Sequence, residues 1–338
     1  MADGPFMRAP ATTASLQLEF LLASTPAVLI GIWSLGSQVA LSQAADAPAP
    51  GWAESFGVGL SVFAPLLAVS ILTSAVWAVV FARLRQRPLD PGWVLTGWLY
   101  AALLPGALPL WAAATGISFG MVFGSQIFGG TGRYPASPVL LGVLFLTIAY
   151  PDLFGPGGWL PGQDSVTTWS LLGAEGPAAL SEAGFSWLGL ATGRELGGVG
   201  AVSDLACLVG GAYLVFRGWA SWRTLVSACA GVWLASLVFS GSGGEGATGW
   251  HWHVVAGNFA FVLAFVATDP STQAMTSRGR LLHGALAGAL AISFRTLNPE
   301  HPEGSLFAFL LAALFTPLLD QAVLFYSSRS GRAGAARS

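Results

Sequence analysis

The chain has 338 residues, of which 54% are hydrophobic and only 9% charged, and its mean hydropathy is +0.66. Soluble domains carry roughly 25% charged residues, so a water-soluble enzyme is excluded. A net charge of −2 leaves no basic stripe to neutralise phosphates, which excludes a nucleic-acid partner.

A membrane-spanning helix needs about 20 apolar residues. In chain order the candidate runs are about Leu16–Leu41, Val58–Phe81 and Gly92–Ala113, then the shorter Gly116–Phe128 and Val139–Tyr150. After a long polar stretch come Ser203–Phe216, Leu225–Phe239, Val254–Thr268, Leu281–Phe294 and Leu306–Phe325. Only Arg8 precedes the first run and no cleavage site soon follows it, so that run reads as a retained anchor. Cys207 and Cys229 both lie within apolar runs, too far apart for a C-x-x-C ligand pair.

Arginine placement tests this count, because basic residues stay on the cytoplasmic side. Arg83, Arg85 and Arg87 follow the second run, whereas the loop before it, Ser42–Ser55, holds Asp46 and Glu54 and no Arg. Arg217 with Arg223, Arg278 with Arg280, and Arg329, Arg332 and Arg337 mark three later ends. These clusters alternate correctly only if both short runs cross, which gives ten spans and two cytoplasmic termini. The segment Pro151–Gly200 then falls on the periplasmic-type side, although it carries Arg194. Five spans per half means halves of opposite orientation, the inverted-repeat plan of many transporters. Pro135-Ala-Ser-Pro138 before the fifth run and Pro299-Glu-His-Pro302 before the tenth echo each other at equivalent places. The expected fold class is an all-α polytopic membrane protein. Its first half is 1–150, its connecting segment 151–200, its second half 201–326 and its tail 327–338.

The polar residues inside or beside these runs are the candidates for chemistry. His251 and His253, two apart on a helix, point about 200° away from each other and cannot chelate one metal together. With Trp250 and Trp252 they belong to a membrane edge, either as interface anchors or as hydrogen-bonding partners of a bound ring. Asp320 lies deep in the last run, and an ionisable group at membrane depth points to an ion pathway. Asp204 opens the sixth run, where either helix-start electrostatics or an ion pathway would use it. Asp269, before Pro270, reads as a cap at its helix end, and Glu19 as an acid snorkelling to water near its helix entrance. Arg295 keeps its charge and needs a partner. Glu300 and Glu303 are near in sequence, and Arg295 with Glu303 is the expected structural ion pair. Gly129, Gly130 and Gly132 permit positive φ and close approach, and Thr131 adds a hydroxyl, so this turn serves either packing or a ligand.

Three stretches carry a resemblance. GTGRYPASPVLLGVLFLTIAYP (Gly130 to Pro151), WHWHVVAGNFAFVLAFVATDPST (Trp250 to Thr272) and FRTLNPEHPEGSLFAFLLAALFTPLLD (Phe294 to Asp320) resemble motifs of the NqrB/RnfD family. The nearer likeness is to NqrB, a membrane subunit of the sodium-pumping NADH:quinone reductase; RnfD of the related Rnf complex shares fewer of these motifs. The likeness extends with gaps from about Leu16 to Phe325. It implies a ten-helix fold of the urea-transporter type in a bacterial inner membrane. It also implies a chain that works with other membrane subunits, passing electrons through flavin to quinone while a cation, Na+ or H+, is exported. NADH oxidation would belong to a partner subunit, since no G-x-G-x-x-G fingerprint is present. The resemblance places Gly129, Gly130, Thr131, Gly132, His251 and His253 near FMN, riboflavin or quinone, and it supports Asp320 as an ion-pathway residue.

The departures from that family are specific. Its FMN is esterified to a threonine whose place is taken here by Glu175, in Leu172-Gly173-Ala174-Glu175. A carboxylate cannot replace the hydroxyl in a phosphoester, so FMN is expected to bind without that bond; Thr167 and Thr168 lie nearby but lack the flanking motif. The family's Trp-Glu of the second span is Trp77-Ala78 here, and its Lys-Glu before the glycine turn is Ser125-Gln126. Its acid near the sixth span stands where this chain has Ala201, one helical turn from Asp204. A redox-silent scaffold or channel derived from the family is the alternative function. A solitary solute transporter would rest on fold analogy alone.

Overall fold

A computed structural model describes residues 13–43, 50–161, 182, 185–193, 197–240, 249–298 and 304–335. Every regular element among them is helical. In chain order these are α1 (Thr13–Gln43), α2 (Trp52–Arg85), α3 (Trp93–Leu103), α4 (Leu110–Phe119) and α5 (Pro138–Ala149). They continue with α6 (Trp187–Thr192), α7 (Asp204–Phe216), α8 (Trp222–Ser240) and α9 (Trp250–Val255). The last are α10 (Phe259–Phe265), α11 (Ser277–Leu297) and α12 (Gly304–Ala335). Among the described residues four stretches are long and apolar enough to cross a membrane: Thr13–Ser42, Trp52–Arg85, Trp222–Phe239 and Gly304–Ser327. The protein is therefore a multi-pass helical membrane protein.

Two of the expected runs are broken rather than continuous. Gly92–Ala113 divides between α3 and the start of α4, because Pro105 lacks the amide that would extend α3 and forces the residue before it out of helical geometry. Leu104 accordingly has φ −78° and ψ 150°, and Pro109 caps α4 in an extended conformation. Such irregular backbone is tolerated at membrane depth only where protein covers it. Leu103 and Leu104 are fully buried, and the Ala107 amide finds the Gly158 carbonyl at 3.2 Å. α4 then runs into a π-helical turn, Gly120–Gln126, which leads to the glycine turn. The eighth run, Val254–Thr268, divides at Ala256-Gly257-Asn258, where Gly257 takes φ +78°.

Helix directions follow from which glycines let which backbones touch. Gly36 faces Ser55 and Gly59, while Gly59 faces Ile32, so α1 and α2 are antiparallel. Gly31 faces Val199 and Gly210 faces Ala23, which runs α7 back along α1. Gly284 packs on Thr224 and Ser227, and Gly288 on Ala228 and Val232, so α8 and α11 are parallel. The chain must cross back between those two helices, and α9 with α10 makes that return. Small residues on both sides of this seam bring the backbones together, the usual basis of close helix packing in lipid. One core draws on helices from both ends of the chain, and in it Phe20, Tyr100, Phe259, Phe261, Phe265 and Phe309 are almost wholly buried.

Candidate functional site

The glycine turn after the π-helical segment is fixed by that segment and by the loop before α3. Gly129, Gly130 and Gly132 have φ of 112°, 91° and 83°, which a residue with a Cβ would adopt only under strain. The Gly129 and Gly130 amides donate to the Gln126 and Ser125 carbonyls, both at 3.1 Å. The Thr131 amide donates to Asp90 Oδ2 at 2.7 Å, and the other Asp90 oxygen accepts the Gly92 amide at 3.1 Å. Three consecutive amides of the turn are thus already engaged, so they form no open nest for a phosphate.

Just beyond the turn, the Tyr134 hydroxyl donates to Asp269 Oδ2 at 2.6 Å, across 135 residues of sequence. Asp269 Oδ1 accepts the Ser271 amide at 2.9 Å. Asp90-Pro91-Gly92 and Asp269-Pro270-Ser271 are therefore alike: each is an Asp-Pro turn whose carboxylate holds its own loop with one oxygen and the Gly129–Tyr134 segment with the other. A cavity of about 30 Å³ lies beside this junction, bordered by Phe20, Thr96, Tyr134, Ser137, Phe265 and Asp269. It has room for one or two water-sized spheres. Burial first, then the Asp269 charge, raises the Tyr134 phenol well above the ordinary tyrosine value, so this hydroxyl remains a donor through the working pH range.

Asp269 is not the helix cap expected of it. A helix end presents carbonyls, which a carboxylate cannot satisfy, and Asp269 instead gathers donors from its own loop and from Tyr134. Glu19 does not snorkel either. It is bound by the Tyr213 hydroxyl at 2.6 Å and by Arg217, whose Nε lies at 3.1 Å and whose Nη2 closes the ion pair. Asp320 accepts the amides of Met275 at 2.7 Å and Thr276 at 3.0 Å, and the Thr276 hydroxyl at 2.5 Å. It therefore fixes the amino end of α11. Asp204 is buried in the first turn of α7, after the N-cap Ser203.

A second polar group surrounds the α9–α10 break. Arg295, 6% exposed, donates to the carbonyls of His253 at 2.6 Å and Ala256 at 2.7 Å, so a guanidinium closes the carboxyl end of the broken helix. Its expected partner Glu303 lies outside the described residues, as do Glu300, Glu175, Thr167, Thr168 and Arg194. His253 and Asn258 are buried, and His253 Nδ1 and Asn258 Oδ1 have no hydrogen-bond partner among the described residues. His251 is exposed, and its carbonyl accepts from Trp187 Nε1 at 3.1 Å. The two histidines do not converge on a ligand set, and among the described residues no group of three His, Cys, Asp or Glu is placed to hold a metal.

Residues 1–325 match the NQR2, RnfD, RnfE family. The chain belongs to that family. It is 36% identical over 330 residues to the NqrB subunit of the Na(+)-translocating NADH-quinone reductase of Azotobacter vinelandii, with 90% of this chain and 82% of that one covered. It is 37% identical over 310 residues to the corresponding chain from Yersinia pestis, covering 88% and 74%. For Neisseria meningitidis the identity is 34% over 332 residues, covering 88% and 81%.

Of the departures noted in the sequence, those among the described residues are buried. Ala78 faces inward from α2, and Ser125 and Gln126 are buried in the π-helical turn. Sequence reasoning did not single out Asp90 or Tyr134, because both lie outside the apolar runs; the available signal was the recurrence of Asp-Pro before a helix. Asp90→Ala is expected to free the Thr131 and Gly92 amides at a cost of about 1–3 kcal/mol. Hydrogen exchange at Thr131 should accelerate at least tenfold, while α8 and α11 stay protected. Unchanged exchange at Thr131 would refute the anchoring role.

Proposed function

We propose that this protein is the quinone-reductase-type membrane subunit of an ion-translocating complex, coupling electron transfer through flavin to quinone with movement of Na+ or H+. Family membership supports the class. The observation that carries the ion-translocating part is the cavity between the halves, where a carboxylate, a phenol and two hydroxyl-bearing residues meet with two aromatic rings. Oxygen-rich, apolar-walled sites of this size suit a small hard cation. The ion route draws on Asp204 and Asp320, which the sequence nominates, and on Asp269, which the geometry adds. Asp269 and Asp320 lie at the end where the arginine-bearing loops gather, and Asp204 opens α7 at the opposite end.

The ten-crossing reading is part of this proposal. Hydrogen bonds join Arg85 to Ile127, Asp90 to Thr131, Tyr134 to Asp269, Glu19 to Arg217 and Met275 to Asp320. Every one of these pairs falls on the side that the arginine count assigns to the cytoplasm. Ser34 with Gly193, Ala107 with Gly158 and Arg295 with His253 fall on the other. That sorting supports two five-span halves of opposite orientation, at 1–150 and 201–326, joined through 151–200, with both termini and the 327–338 tail cytoplasmic.

His253 and Asn258, with their orphaned buried polar atoms, are suited to the polar edge of a flavin or quinone ring. FMN or riboflavin bound there would supply one-electron redox chemistry. The engaged amides of Gly129, Gly130 and Thr131 do not suit a phosphate, so that turn is assigned to positioning or to contact with a ring. A redox-silent scaffold or channel is the second reading, favoured by Glu175 and Ala78. Intact mass and absorbance of the complex purified from native membranes separate the two. Flavin absorbance with an unmodified mass is the expected result, and a colourless complex with an unmodified mass would overturn the redox reading.

A further inference from the structure

We propose that Tyr134 is a latch on the Asp269 cavity: its hydroxyl occupies the carboxylate oxygen that a monovalent cation would bind, so cation uptake requires the phenol to let go. This inference rests on reading that cavity as an ion site, and adds the group that controls it.

The argument starts from what Asp269 has to offer. One oxygen is held by the Ser271 amide of its own turn, a local bond that persists whatever the halves do. The other is held by Tyr134 at 2.6 Å, and both residues border the cavity. A phenol that keeps its proton can only donate to this carboxylate, whereas a cation needs the same lone pairs. The two occupants therefore compete.

Tyr134 is also mounted so that it can move without disturbing a helix. It lies between Gly132, which has φ 83° and no atom within 4 Å of the position a Cβ would take, and Pro138, which opens α5. On the other side the turn is tethered by Asp90 through Thr131. Swinging Tyr134 outward breaks its bond to Asp269 and exposes a phenol ring that is buried in the closed state; it opens the cavity toward the loops and leaves α5 and α10 in place. Since Tyr134 belongs to the first half and Asp269 to the second, the latch also links cation occupancy to the contact between the halves.

Binding of ²²Na+ to the full chain in lipid nanodiscs tests this, with wild type, Tyr134→Phe and Asp269→Asn compared. A hydrogen bond to a charged group is strong enough that its loss should tighten Na+ binding by about tenfold in Tyr134→Phe, and Asp269→Asn should abolish binding. Equal or weaker binding by Tyr134→Phe, with Asp269→Asn inactive, overturns the latch and leaves the ion site standing. Binding that survives Asp269→Asn, or no binding by wild type, overturns both. A second measurement needs no Tyr134 variant. The chain has five tyrosines, and ¹³Cζ labelling with the other four replaced one at a time assigns the Tyr134 resonance. Na+ should shift that resonance in wild type and not in Asp269→Asn; bound Na+ with an unmoved resonance overturns the latch.

Discussion

Arg295→Met is expected to lower the stability of the protein by about 3 kcal/mol, measured as unfolding in detergent or lipid discs. Two opposed effects set this figure. Removing the guanidinium strips donors from the carbonyls of His253 and Ala256, and each buried acceptor left unpaired costs about 1–3 kcal/mol. Methionine fills similar space and removes the cost of burying a charge, which returns part of that loss. The acceptors decide the balance, because the break at Ala256-Gly257-Asn258 leaves them no helical partner. Arg295→Lys is expected to be intermediate, since one ammonium is less suited than a planar guanidinium to bridging two carbonyls. A loss below about 1 kcal/mol for Arg295→Met would mean that the break is held by packing, and the capping role assigned to Arg295 would fall.

That residue also illustrates what could and could not be read from the sequence. Its need for a partner was legible, because a guanidinium in an apolar run must be satisfied. The partner was not, since the carbonyls that accept from it exist only because the chain breaks at Gly257, and Val-Ala-Gly-Asn-Phe reads as a continuous apolar segment. The break at Pro105 was better signposted: Pro-Gly-Ala-Leu-Pro cannot continue a helix, and the apolar average masked it. The bounds of α1 and α5 were legible to within three residues, whereas α2 extends six residues before and four beyond its apolar run. Glu19 shows the remaining difficulty, for its partners Tyr213 and Arg217 lie almost two hundred residues away. Periodicity and composition carry no information about such contacts.

The candidate site follows the same division. The glycine turn was legible because glycines at positive φ leave a mark in sequence, and so was the need for a role for Asp269. What the sequence could not show was that an aspartate in the second half binds a tyrosine in the first. A motif comparison alone would also have missed it, because the pairing is a matter of which loops share an end of the bundle. The antiparallel fit of α7 along α1 and the parallel fit of α8 with α11 bring those loops together.

Those fits depend on backbones in contact, and Gly36→Ala is expected to cost about 3 kcal/mol or more, while Gly57→Ala, 21 residues on, is expected to be neutral or stabilising by about 0.5–1 kcal/mol. A Cβ at Gly36 would stand 1.7 Å from the Ser55 carbonyl oxygen and 2.5 Å from the Gly59 amide nitrogen. Both obstacles are backbone, so no side chain can rotate aside, and α1 and α2 must separate along their length. Separation would carry Phe20 and Val28 away from the core that they share with Phe63 and Leu66, which adds lost contacts to the strain. At Gly57 nothing lies within 4 Å. Alanine there meets only open space and gains the helix preference that glycine lacks. Thermal unfolding of the two variants side by side separates close approach from helix propensity, since both changes add the same methyl group to a helix. Equal transition midpoints would mean that the α1–α2 contact relaxes freely, and the rigid pairing of these two helices would have to be given up.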